Sequence, residues 1–171
     1  MRSEKRDGPD GERLVSDRLN ELLARHRDEI AQRRLILRVD LEPGLVLDWP
    51  DSSDAIARLV GLAISTLPDG CELLVAATRS PERISRVGTG VVTLRWQVGR
   101  SGGAIHESPT DENRGQVVPI GAALRSAEDL IASAPVERIR EACRESRLEF
   151  RLEPVDHSGE VIARVLIGRE A

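Results

Sequence analysis

The chain has no tyrosine, one phenylalanine (Phe150), two tryptophans (Trp49 and Trp96), one methionine and one lysine (Lys5). So little lysine beside so much arginine reads as a compositional bias of the genome. Cysteine is also scarce: Cys71 and Cys143 stand far apart, outside any Cys-x-x-Cys or Cys/His spacing. That argues against a disulfide framework or a zinc site and for small buried thiols in a reduced compartment. No run of about 18 apolar residues occurs, and the charged start Met1 to Arg6 leads into Asp7-Gly8-Pro9, so neither a spanning helix nor a secretory leader is expected. A cytoplasmic location follows. An excess of positive charge is missing too. With 25 basic against 29 acidic residues the net charge is −4, and neither nucleic acid nor an anionic membrane is an expected partner.

What is present is an aliphatic pattern over 171 residues, 40% of them hydrophobic, enough for one domain with a core. There is no internal repeat. Residues 1–11 are polar, with Gly8, Pro9 and Gly11, and are expected to form a flexible leader ahead of a single domain over 12–171. Between Glu12 and Arg34, Val15, Leu19, Leu22, Leu23 and Ile30 recur at three- and four-residue intervals, which predicts one amphipathic helix. Leu35, Leu37, Val39 and Leu41 alternate as in a strand, Pro43-Gly44 turns the chain, and Leu45-Val46-Leu47 predicts a second short strand. Asp51 to Asp54 offers helix caps before the apolar stripe Ile56, Leu59, Val60, Ala63 and Leu67, and Pro68-Asp69-Gly70 stops that helix.

Leu73 to Ala77 and Val91 to Val98 predict a hairpin, with Val92, Leu94, Trp96 and Val98 on a buried face and Thr93, Arg95 and Gln97 on the other. Residues 99–118 are too polar to pack and are expected to form a lid-like loop. Helices are predicted at about 120–132 and at 136–146 behind Pro135, then a closing hairpin of Leu148 to Leu152 and Glu160 to Ile167. The order describes an α+β two-layer sandwich: a mixed, mostly antiparallel sheet with helices on one face and Arg38, Asp40, Thr93, Arg95 and Arg151 on the solvated other.

Leu45-Val46-Leu47-Asp48-Trp49-Pro50-Asp51, the following helix, the turn Leu67-Pro68-Asp69-Gly70-Cys71 and the strand Leu73-Leu74-Val75 together resemble the ATP-binding domain of sensor histidine kinases, a branch of the GHKL or Bergerat ATPase fold. The resemblance runs from about Glu12 to Ile167. It implies a two-component signalling role and a nucleotide pocket whose polar residues this chain has replaced. The helix motif Leu-x-Asn-Leu-x-x-Asn-Ala, anchored on Ala63 and Pro68, places its two asparagines at Arg58 and Leu62. The second of these amides coordinates magnesium in an active relative, and leucine has no oxygen to offer. The next motif, Asp-x-Gly-x-Gly, falls on Val98-Gly99-Arg100-Ser101-Gly102, so the adenine-binding aspartate becomes Val98, the first glycine becomes Arg100, and only Gly102 matches. No Gly-x-Gly-x-Gly run follows between Gly99 and Pro135, and Arg144 to Arg147 stand where a His-Gly-Gly is usual.

Other constellations carry less. His26, within Arg25-His26-Arg27-Asp28-Glu29, superficially resembles a phosphoacceptor box, but a strand follows too soon for the two-helix hairpin such a histidine needs, and a partly buried, hydrogen-bonded side chain is expected instead. His106-Glu107 and Asp156-His157 lack a third partner for metal or catalysis. Ser101-Gly102-Gly103 lacks a nucleophile-elbow context. The Arg/Glu alternation from Arg138 to Arg147 predicts a solvated helix face.

The expectation is therefore a non-catalytic kinase-like domain that binds a signalling protein, with no cofactor and no metal. The alternative is a divergent active module that binds ATP with Mg2+ through other residues and phosphorylates a separate chain. Self-association into a homodimer through the first helix is a third expectation.

Overall fold

Side-chain alternation along five segments produces one sheet, whose strands are β1 (Ile36–Leu41), β2 (Glu72–Arg79), β3 (Gly90–Gln97), β4 (Glu149–Val155) and β5 (Glu160–Ile167). In this computed structural model, which describes residues 15–47, 53–79, 88–99, 126–155 and 159–168, their order is β1-β2-β3-β5-β4. β1 runs parallel to β2, and every other neighbouring pair is antiparallel. A parallel pair needs a crossover, which α3 (Ser53–Thr66) supplies.

The inward residues of β2, β3 and β5 form a continuous buried face: Leu73, Val75 and Ala77, then Val92, Leu94 and Trp96, then Val161, Ala163 and Val165. Four further helices complete the second layer: α1 (Val15–Ala24), α2 (Arg27–Gln32), α4 (Ala127–Ile131) and α5 (Ala134–Glu145). Arg38, Asp40, Arg95 and Arg151 stand exposed on the opposite face, with Thr93 half-buried among them. There Arg95 grips Glu160 across β3 and β5 with two hydrogen bonds of 2.7 Å, and the carboxylate raises the arginine pKa further above its ordinary value. The α+β two-layer sandwich expected from the pattern is the observed architecture.

Two expectations change, and a third is described only in part. The helix expected over 12–34 is two helices. Its first part turns at Arg25-His26, where the His26 N–H donates to the Leu23 carbonyl (3.0 Å) and the His26 carbonyl accepts from Ile30 (2.9 Å) to start α2. The strand expected at Leu45-Val46-Leu47 shrinks to bridges, one joining Leu47 to Gly88, because β1 takes β2 as its partner. The helix expected at 120–132 is described only as α4, since 120–125 lie outside the described residues, as do the leader and all of the 99–118 loop except Gly99. No described helix is long and apolar enough to cross a membrane.

Two glycines matter to this framework. Gly90 begins β3 where a Cβ would meet Leu47 at 2.5 Å and the Thr78 carbonyl at 2.7 Å, so any side chain there forces the hairpin open. Gly70, at φ +75, lets the chain leave α3 and donate its N–H to the Arg33 carbonyl (3.0 Å).

Elsewhere the same conformation falls on arginine. Arg34 (φ 55) ends α2 and Arg147 (φ 54) ends α5; in each case the next leucine donates back to the helix, Leu35 to Ile30 (2.9 Å) and Leu148 to Cys143 (2.7 Å). These are Schellman turns with an L side chain where glycine is usual. Both arginines are exposed. Arg34→Gly and Arg147→Gly are each expected to raise unfolding stability by about 0.5–1 kcal/mol, measured by urea titration. Burial among α5 neighbours pushes the Cys143 thiol up to about 11, whereas Cys71 is half-buried. A thiol reagent at pH 8 is expected to label Cys71 in the native protein and Cys143 only after unfolding, as read by mass spectrometry.

Candidate functional site

The site expected from the sequence is carried by α3 and by the end of β3. α3 is apolar on nearly every side: Ala55, Ile56, Leu59, Val60, Leu62, Ala63 and Ile64 are buried, leaving a narrow exposed ridge of Asp54, Arg58 and Ser65. Arg58 lies on that ridge, half exposed, with its Nε donating to Asp54 at 2.8 Å one turn earlier. Such an exposed pair contributes little stability. Leu62, one turn further on along the same side of the helix, is only 6% exposed and belongs to the main core.

Two hydroxyls fasten the helix at this level. Thr66 Oγ1 donates to the Leu62 carbonyl (2.8 Å) and accepts the indole N–H of Trp96 (3.0 Å), while Ser65 Oγ donates to the same carbonyl (2.9 Å). Thr66 and Trp96 are both buried, so this bond ties α3 to β3 inside the core.

Val98 follows β3 directly. Its N–H donates to the Gly159 carbonyl (2.8 Å) and its side chain is 5% exposed in the same core as Leu62. The next residue, Gly99, passes the exit of α3 so closely that a Cβ there would sit 3.1 Å from the Pro68 ring. The structure thus brings Leu62 and Val98 into one apolar cluster and leaves Arg58 outside it. Arg100 and Gly102 lie outside the described residues.

Sequence reasoning missed Arg33. Its guanidinium donates to the Ile64 carbonyl (2.7 Å), to the Leu67 carbonyl, to Asp69 (2.8 Å) and to Glu29 (3.2 Å), so a cation and four oxygens seal the negative end of α3. No periodicity marks such a residue. Its one signal was a basic side chain just before a strand that lies beside the helix exit.

His26 is partly buried, as expected, and rests on α3 at Gly61, where a Cβ would lie 3.6 Å from the ring. Its Nδ1 is 3.6 Å from Glu29, too long for the expected hydrogen bond. His106 and His157 lie outside the described residues. On α5, Glu137 accepts from Arg140 (3.1 Å) and Arg144 (3.0 Å), and these bonds, Arg140 foremost, hold its carboxyl below the usual range on a solvated face. Among the described residues no three His, Cys, Asp or Glu side chains gather closely enough to hold a metal ion.

No family model and no curated protein matches the chain. Solved structures do. Histidine kinase AdeS of Acinetobacter baumannii superposes with a TM-score of 0.56 at 11% identity, covering 91% of this chain and 65% of its own. The catalytic domain of histidine kinase ThkA gives 0.59 at 10% identity, over 91% and 94% of the two chains. The cytoplasmic segment of histidine kinase QseC gives 0.57 at 10% identity, over 99% and 85%. The chain therefore spans slightly less than two thirds of the AdeS chain and nearly all of the ThkA domain. It has the histidine kinase ATPase-like fold.

Leu62→Asn is expected to cost about 2–4 kcal/mol, because an amide would replace an alkyl group inside a closed core; at the wall of an open pocket the change would be nearly neutral. Thr66→Val should cost about 1–3 kcal/mol by stranding the Trp96 N–H. Urea unfolding followed by Trp fluorescence measures both.

Proposed function

We propose that the chain is a non-catalytic relative of the histidine kinase ATPase domain that acts as a regulatory, protein-binding module in bacterial signalling. The observation that carries this reading is the burial of Leu62 as an ordinary core residue at the position matched to the magnesium-binding amide. Magnesium takes oxygen ligands in near-octahedral geometry, and this alkyl side chain supplies none. Val98 stands where a carboxylate would accept the adenine amino proton, and it too is packed into the core. Losing one hydrogen bond to a charged group removes about 1.5–3 kcal/mol, a roughly ten- to hundredfold loss of nucleotide affinity before the metal is counted. On this reading Leu62 and Val98 offer no ligand to a magnesium-bound nucleotide, and no chemical step is assigned to them.

Fold likeness alone does not transfer an activity. A partner protein remains the role for a framework kept without its polar ligands, and a cytoplasmic place follows the QseC segment, which is named as cytoplasmic. Isothermal titration of the full chain with ATP and magnesium is expected to show no binding below the millimolar range, and incubation with labelled ATP and phosphoacceptor domains no phosphoryl transfer. Micromolar affinity or any transfer would overturn the reading.

A further inference from the structure

The two large hydrophobic side chains left exposed among the described residues, Ile36 at 54% and Val39 at 44%, both belong to β1, and β1 is an edge of the sheet formed by the described strands. The Ile36 N–H donates to Cys71 (3.0 Å) and the Glu42 N–H to Ala77 (2.9 Å), so the even-numbered residues turn their backbone groups toward β2. Leu37, Val39 and Leu41 turn theirs outward. The side chains of these three share the helix-covered face, since Leu37 and Val39 lie opposite the buried Leu73 and Val75; Arg38 and Asp40 point to the open face. The structure ascribes no ion pair to Arg38 or Asp40 among the described residues.

The opposite edge is protected. β4 carries Pro154, which cannot donate, and its charges are matched within the chain, Arg151 to Glu149 and Glu153 to Arg164 at 3.2 Å. β1 has neither device.

We infer that β1 pairs antiparallel with β1 of a second copy of this chain, about a two-fold axis at Val39. In that register Val39 faces Val39 and Leu37 faces Leu41, and each pair exchanges both of its outward backbone hydrogen bonds. Arg38 of each copy then faces Asp40 of the other on the open side, with Cβ atoms about 4.5–5.5 Å apart. A shift of two residues either way puts Arg38 against Arg38 or Asp40 against Asp40. A shift of one turns apolar side chains to the wrong face. The sequence Leu37-Arg38-Val39-Asp40-Leu41 is thus complementary to itself in one register and repulsive or mismatched in its neighbours, and charge complementarity selects a copy of the same chain as the occupant. The apolar stripe of α1 does not compete for this role, because Val15, Leu19, Leu22 and Leu23 are buried in their own domain. The pairing does not depend on the nucleotide reading.

Sedimentation velocity of the full chain over a wide concentration range is expected to show a monomer–dimer equilibrium. Val39→Pro should abolish the dimer without costing an internal hydrogen bond, since that N–H points away from β2. Arg38→Asp or Asp40→Arg should each weaken dimerisation roughly tenfold, and the double change R38D/D40R should restore it. Far-UV circular dichroism checks that the variants fold; should Val39→Pro unfold, the charge-swap series and hydrogen exchange at Leu37, Val39 and Leu41, slowing with concentration, decide alone. A monomer at every concentration, a dimer that survives a folded Val39→Pro variant, or single swaps that the double does not rescue would overturn the inference.

Discussion

One buried hydroxyl, that of Thr66, ties the helical layer to the sheet at α3. It accepts the indole N–H of Trp96 and donates to the Leu62 carbonyl, so the central strand β3 and the helix α3 share a single polar contact inside an otherwise apolar interface. An indole buried without a partner is costly, and a threonine hydroxyl on an apolar stripe is equally so. The hydroxyl is satisfied within its own helix, whereas the indole meets its partner only where α3 lies against β3 at this point. On the same helix Leu62 is buried in the core, and Asp54, Arg58 and Ser65 form the exposed ridge. Arg33 secures the far end of the same helix by holding its last carbonyls.

The consequence for function is physical. In a nucleotide-binding member of this fold, part of the inner surface has to stay polar for the ligand. Here Leu62 and Val98 join the residues that make the hydrophobic core, so the domain completes its packing from its own side chains. That is compatible with the proposed use of the domain as a scaffold for protein contacts, since Leu62 carries no oxygen to offer a metal ion.

Much of the framework was legible in the sequence because it rests on periodicity. Val92, Leu94, Trp96 and Val98 announced the buried face of β3, and Pro68-Asp69-Gly70 marked the end of α3. The features that escaped lack a periodic signal. No glycine or proline announces the turn at Arg25-His26, and Arg34 and Arg147 occupy a backbone conformation that glycine normally signals. Leu45-Val46-Leu47 has the composition of a strand, yet β1 finds a better partner in β2, a choice made by tertiary contacts. At the candidate site, Arg58 and Leu62 are four residues apart, a spacing that in a helix puts them on one side. Burial separates them, because Arg58 can reach solvent and Asp54 while Leu62 cannot.

Pro154 has a consequence for assembly that its local role does not suggest. A sheet with two adhesive edges can add copies without end and grow into a filament. With a proline and internally neutralised charges closing the β4 side, growth through strand addition is confined to the β1 side, and a two-fold contact there exhausts it. The inferred β1 pairing would therefore give a closed, finite particle in place of a fibre.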